Sequence, residues 1–402
     1  MPNDAAEGVG TRTPTYQFDL YAEPALLDDV HRGYWDLKEA APPVFWTPAN
    51  GGHWVVTTAE GVIEVLRRHE TFSSRYLSIP KNDQQPHMIP ESLDPPEHRR
   101  YRQFLRPWFE SKAVALLEPR IAEWTDRLID AVADRRACEF VEAIASRLPV
   151  SVFMEMFGFP LNEFDEFRTL VVGFFDGQAP PEARQVLAMR IYGKITALIV
   201  ARRSAPQDDM MSRLIATPFE DRFLSDDELR SIGFLMFVAG LDTVVNAMAF
   251  GMRHLAADAP LRQRMIDDPD AIPAVVEELL RRYAFVSVPR YVAQDTELLG
   301  TTLYAGDMIV APLAMVGWDI QMNACPAAVD ADRRPCKHAA FGSGIHTCLG
   351  IHLARLELIT FYRHWFARIG HFTIDDAAPA GRTRGGSVYA LDSLHLVWGD
   401  RP

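Results

Sequence analysis

Cysteine is scarce. Cys138, Cys325, Cys336 and Cys348 are the only four in 402 residues, and no two form a Cys-x-x-Cys pair. Such scattered thiols exclude a disulfide scaffold and fit a reducing compartment. Positive charge is in deficit as well: 41 Lys and Arg against 54 Asp and Glu give a net charge of −13, which argues against nucleic acid as a partner. No uninterrupted apolar run is long enough to span a bilayer, and the opening MPNDAAEGVGTRTPTYQFDLY lacks a basic-plus-apolar leader. Repeats, low-complexity tracts and Pro/Gly/Ser-rich linkers are also missing. The expectation is a cytoplasmic, membrane-free protein with an irregular arm at 1–20 and one large helical domain over 21–402. With 48% of its residues hydrophobic, the chain has ample core.

What stands out among the residues present is Phe341-Gly-Ser-Gly-Ile-His-Thr-Cys348-Leu-Gly350, a glycine-hinged loop running into a helical pattern over Leu349 to Arg368. A cysteine close to a helix N-terminus meets free amide N–H groups and a positive dipole end, both of which favour a thiolate. Gly344 and Gly350 allow a tight turn and close approach to a flat partner, and Phe341 offers an aromatic face beneath it. An isolated cysteine is ordinarily a small core hydrophobe. The spacing Phe-x-x-Gly-x-x-x-Cys-x-Gly fits a thiolate ligand to haem iron far better.

Elsewhere the chain reads as helices broken by loops. Helical spacing marks Pro24 to Ala40, Ala113 to Asp134, Val150 to Phe157, Leu161 to Phe175, Pro181 to Arg203 and Asp208 to Ile215. From Phe72 to Leu93 periodicity fails and prolines intervene, as expected of a lid or binding loop. Asp94-Pro95-Pro96-Glu97-His98-Arg99-Arg100-Tyr101-Arg102 opens a helix, with Asp94 the expected cap. Asp226 to Ala256 predicts one long helix, apolar all round and hence central. Ala239, Gly240, Asp242 and Thr243 are poor choices for its buried middle. Ile272 to Tyr283 places Glu278 and Arg281 on one helix face. Arg290 lies in a stretch of short strands, 318–340 is an irregular meander, and His371 to Trp398 predicts a last hairpin.

Together these segments resemble the cytochrome P-450 superfamily, and within it the bacterial camphor-hydroxylase branch. The likeness rests on DPPEHRRYR, AGLDT, E-x-x-R, the strand stretch with Arg290, and F-x-x-G-x-H-x-C-x-G, in that order. It implies a mainly α fold with small β-sheets, triangular, with haem b buried between the long central helix and the cysteine-loop helix. Carried over by position, Cys348 is the iron ligand and Phe341 and Gly350 belong to the cofactor loop. Arg102, Arg290 and His346 match propionate contacts, with His98 at a further one. Asp242 and Thr243 match the proton-delivery pair. Glu278 and Arg281, with Arg333 as third member, match a structural cluster on the cysteine side. Val238, Val286 and Val388 match pocket-lining sites, and His87 and Met88 sit in the lid loop.

The implied activity is hydroxylation of a small apolar terpenoid or norisoprenoid with dioxygen and electrons from a [2Fe–2S] ferredoxin and its reductase. Arg99, Arg100, Arg106 and Lys337 are the expected docking cations. Camphor hydroxylation, a peroxide-using haem-thiolate enzyme and a haem-thiolate sensor are the alternatives. Two positions depart from the branch: Pro86 stands where camphor hydroxylase has a substrate-binding tyrosine, and Val288 where it has an aspartate.

Overall fold

A computed structural model describes residues 12–175 and 180–399. Eleven of its helices carry the argument: α1 (Val30–Ala40), α2 (Ala59–Arg67), α3 (Glu97–Leu105), α4 (Glu118–Ala133), α5 (Leu148–Phe157), α6 (Phe164–Phe175), α7 (Pro181–Ser204), α8 (Asp226–Leu241), α9 (Thr243–Ala257), α10 (Ile272–Arg282) and α11 (Ile351–Arg368). The main sheet is made of β1 (Val44–Thr47), β2 (His53–Val56), β3 (Phe72–Ser73), β4 (Ser287–Val292) and β5 (Met308–Pro312), in the order β1-β2-β5-β4-β3. All its neighbours are antiparallel except β2 and β5, which pair in parallel with Trp54 beside Ile309.

Two apolar clusters hold these elements. One gathers the sheet, α1, α2, α9, α10 and α11 around Trp54, Trp318, Trp365 and Tyr362. The other joins α5, α6, α7 and α8 through Phe153, Phe157, Phe167, Ile195 and Phe237. Residues 12–20 form no helix, yet they are tied to β1: Tyr16 N donates to Trp46 O at 2.9 Å, and Phe18 and Leu20 are buried.

Several boundaries differ from expectation for identifiable reasons. Asp29 splits the first expected helix, because its carboxylate caps α1 by accepting from the N–H groups of His31 and Arg32. Asp94 does not cap α3. Its side chain accepts from Ser73 Oγ and Ser74 N instead, tying the lid loop to the edge strand. Ser225 and Glu228 form a reciprocal capping box at the start of α8.

The C-terminal hairpin is two separate pairings, one of which joins Ala137–Glu139 in a three-stranded sheet. The stretch Asp226–Ala257 does reach the length and hydropathy of a membrane span, contrary to the expectation from apolar runs. It is the helical core of the molecule, with 61% of its most apolar window buried inside the protein. It is also not one helix but two, interrupted at Asp242.

Candidate active site

The cysteine loop is closed by its own backbone. Cys348 N donates to Phe341 O at 2.8 Å and Thr347 N to Gly344 O at 3.2 Å. Gly344 has φ +78°, and a Cβ there would lie 2.6 Å from Leu66 O, so the loop presses directly on the end of α2. Gly350 has an ordinary φ of −81°. Its value lies elsewhere: an added Cβ would meet only the Cys348 sulfur, at 3.9 Å.

Cys348 is closely surrounded by protein, yet its side chain is accessible. Burial pushes the thiol pKa up, Glu91 adds to that, and the Gly350 N–H, Arg102 and Arg355 pull it down without prevailing. The expected thiolate preference from the helix end is therefore not met by the polypeptide alone, because desolvation outweighs the N–H and dipole effect.

The break between α8 and α9 opens a second wall. Val238 and Leu241 are buried, but Ala239 is exposed and Gly240, Asp242 and Thr243 are partly so, in the middle of a core element. The Thr243 hydroxyl donates to Ala239 O at 3.0 Å. Asn246 Nδ2 donates to Asp242 O at 2.8 Å and to its carboxylate at 3.1 Å. Burial raises the Asp242 pKa to about 6, against the opposing pull of Arg384 and Asn246. Helix α9 packs on α11, so the element bearing Thr243 touches the helix that follows the cysteine loop.

A polar cluster gathers beside Cys348. His98 (α3), Arg102 (α3), Arg290 (β4) and His346 (cysteine loop) converge, with the two imidazole rings 4.2 Å apart. His98 Nε2 and both ring nitrogens of His346 are buried without a hydrogen-bond partner. Burial, then His346 and Arg102, lower the His98 pKa to about 4. Buried, unpaired nitrogens between two guanidinium groups suit a ligand bearing carboxylates. Glu91, which no sequence motif singled out, reaches into the same cluster, 3.9 Å from Arg290 and 3.6 Å from His346.

The lid residues divide. His87 is exposed, and only its carbonyl is engaged, accepting from Ser231 Oγ at 2.9 Å and from the Tyr192 hydroxyl at 3.3 Å. Those bonds to its carbonyl hold the loop down on α7 and α8 and leave the imidazole without a protein partner among the described residues. Met88 packs on the apolar cluster that contains Val238. Val286 and Val388 form an antiparallel β-bridge, so those two expected lining residues are neighbours.

On the far side of the cysteine loop, Glu278 and Arg281 are fully buried and paired through two bonds of 2.7 and 2.8 Å. Arg333 adds bonds of 3.0 and 3.1 Å to the same carboxylate. Arg281 also donates to the carbonyls of Gly317, Pro326 and Ala328, clamping the meander. The preceding residue, Glu277, does separate work unseen in the sequence. It accepts from Arg355, whose guanidinium lies 4.9 Å over the Phe341 ring, and contacts His338 at 3.2 Å. Burial would raise its pKa, but these partners bring it down to about 2. Glu91, Asn246, Glu277, His338 and Arg355 carried no local signal, because each takes its meaning from a partner distant in sequence.

Fold and site together define a haem-thiolate oxidoreductase. A family model described as cytochrome P450 matches residues 182–368. The chain is 33% identical over 392 residues to a probable cytochrome P450 127A1 of Sinorhizobium fredii, covering 95% of this chain and 94% of that protein. It is likewise 33% identical over 392 residues to a steroid C26-monooxygenase of Mycobacterium tuberculosis, covering 94% and 98%. Among solved structures, cytochrome P450 CYP101C1 superposes with a TM-score of 0.89 at 30% identity, covering 98% of this chain and 100% of that one. CYP101J2 gives 0.87 at 35% identity, covering 96% and 97%. The chain belongs to the cytochrome P450 family: it is a monooxygenase whose cofactor is a cysteine-ligated haem.

Proposed function

We propose that this P450 is a cytoplasmic, ferredoxin-driven hydroxylase of a compact apolar terpenoid or norisoprenoid ketone of the ionone type. The observation that carries the site assignment is the pairing of a closely surrounded but accessible Cys348 with a break at Asp242-Thr243 in an otherwise buried helix. Cys348 would hold the iron, and Arg102, Arg290, His98 and His346 would hold the propionates. Haem, when bound, supplies the dioxygen activation and electron storage that no side chain provides. What the chain adds is protons, shape and dryness. The Thr243 hydroxyl has its hydrogen committed to Ala239 O, so its oxygen is presented as an acceptor that holds a protonated guest in place. Asp242, with a pKa near 6, exchanges a proton readily at neutral pH, and Asn246 fixes which oxygen faces the site.

Val238, Val286, Val388 and Met88 supply an apolar lining, and Pro86 replaces the tyrosine that would favour camphor. The likeness to steroid C26-monooxygenases adds larger polycyclic substrates to the candidates. For the electron donor, the cationic face is thinner than its arginines suggest: Arg100 pairs with Glu220 and Arg106 with Glu110. Arg99 and Lys337 have no acidic partner among the described residues and remain the proposed docking cations for an acidic [2Fe–2S] ferredoxin.

The test is a titration of the ferric protein with ionones, camphor and a sterol, reading the haem spin-state shift, followed by turnover with a reconstituted ferredoxin chain or with peroxide alone. A full shift with ionones and ferredoxin-dependent product is the expected result. A shift with camphor or sterol only would replace the substrate assignment, and efficient turnover on peroxide alone would replace the donor. Reduction by the ferredoxin should slow as salt rises, since charge steers the encounter.

A further inference from the structure

Glu91 is the feature of the site that haem binding does not explain. Its carboxylate lies within 4 Å of both Arg290 and His346, inside the cluster assigned above to the propionates. Burial alone would favour its neutral form, but His346, Arg290 and Arg102 hold its pKa below the usual carboxylate value, so it is an anion there.

The charge balance is tight. Among the described residues, the arginines that act on Glu91 are Arg102 and Arg290, and the His98 and His346 rings lie against each other in the same cluster. Two arginines match the two propionates of haem b, so Glu91, already within 4 Å of Arg290 and His346, is a third carboxylate on the same groups.

The segment that carries Glu91 is pinned on either side of it. Ser92 N donates to Met88 O at 2.9 Å, Leu93 N to Pro90 O at 3.1 Å, and Met88 N to Ser92 Oγ at 3.1 Å. A change at this point is therefore a rotation of one side chain, not a movement of the loop.

We propose that Glu91 is a stand-in carboxylate: it occupies Arg290 and His346 before haem arrives and competes with one propionate for them afterwards. The inference rests on the haem-thiolate assignment. It makes Glu91 a positioning residue whose presence keeps the arginine and histidine side chains pre-arranged in the folded, cofactor-free chain. The cost is weaker retention of the cofactor, because two like charges share one cationic cluster.

The experiment starts from the holoprotein and follows haem transfer to excess apomyoglobin by absorbance, for the wild type, Glu91→Gln, Glu91→Asp and Glu91→Ala. The ferrous carbon-monoxide spectrum of each is recorded first, to establish that thiolate-ligated haem is present. Removing a like charge a few ångströms away predicts haem loss about tenfold slower in Glu91→Gln and Glu91→Ala. Glu91→Asp, which keeps the charge, should stay near the wild-type rate. Equal or faster loss from Glu91→Gln and Glu91→Ala overturns the proposal and makes Glu91 an ordinary support of the holoprotein. Wild-type protein without the red-shifted thiolate band would overturn the haem assignment itself, a failure seen before any variant is compared.

Discussion

At the scale of single residues, the proposed proton delivery rests on two side chains at the break in the helical core. Thr243 gives its hydroxyl hydrogen to Ala239 O, and Asp242 stands at the break with only Asn246 as a hydrogen-bonding side-chain partner among the described residues. If Thr243 steadies a protonated guest, Thr243→Ala should keep haem content and the substrate-induced spin shift. Product per electron consumed should fall several-fold while hydrogen peroxide rises, as measured by parallel NADH, product and peroxide assays. Undiminished coupling would reduce the hydroxyl to a helix residue. Asp242→Asn should act differently. It removes the group that titrates near pH 6, so oxygen-dependent turnover should fall roughly tenfold or more and lose its pH dependence around that value. A variant that keeps both the rate and the pH profile would exclude Asp242 from proton supply.

At the scale of elements, α10 and the meander after it form a rigid support for the cysteine loop. Glu278 binds Arg281 and Arg333 at once, and these arginines hold five main-chain carbonyls, those of Gly317, Ala324, Cys325, Pro326 and Ala328. Glu278→Gln would leave two buried guanidinium groups without a counter-charge, a change that costs about 3–5 kcal/mol. The expected outcome is soluble protein with little haem and a lowered urea midpoint, scored by the Soret-to-protein ratio and the denaturation curve. Normal haem content at wild-type stability would show that the meander does not depend on this carboxylate.

The elements also show where the sequence could be read and where it could not. The helices α5, α7, α10 and α11 appear within a few residues of their expected places, because apolar spacing and capping are local. The interruption at Asp242 was hidden because hydrophobic period says nothing about one absent backbone bond, although the unsuitable Gly240, Asp242 and Thr243 lay at the spot. Asp94 looked like a cap by its place before two prolines, and the serines of an edge strand claimed it instead. Glu277 and Glu91 were invisible for the same reason: their partners lie beyond any window that periodicity can scan.

At the scale of the whole molecule, acidity is unevenly placed. Glu357, buried in α11 and without a hydrogen-bonding partner among the described residues, has its pKa pushed up by burial to about 8. Folded protein holds that proton more tightly than unfolded protein does, from a reference of 4.5. Stability should therefore decline as pH climbs from about 5 to about 8 and level off above. Glu277 has the opposite sign: its pKa near 2 supports the fold above pH 4.5 and loses that support in acid. Glu357→Gln should flatten the decline on the alkaline side, seen as urea midpoints at pH 5.5, 7 and 8.5 that converge on one value. A variant whose midpoint falls with pH as steeply as the wild type would mean the group ionises freely in the fold.

The sheet carries a further consequence, one of timing. Trp54 in β2 lies beside Ile309 in β5, and Phe72 in β3 lies beside Val292 in β4, so both halves of the ribbon come from opposite ends of the gene product. A ribosome adding about 5–20 residues per second leaves β2 and β3 waiting for tens of seconds before β5 and β4 emerge. The cluster of α5, α6, α7 and α8 has every residue it needs by Leu241, well before β4 is made. The nascent chain is thus expected to settle its aromatic helical half first. β1 and β2 can pair with each other early, but the second edge of β2 and the lone β3 stay exposed until synthesis passes Pro312, and this is the interval in which chaperones have most to protect.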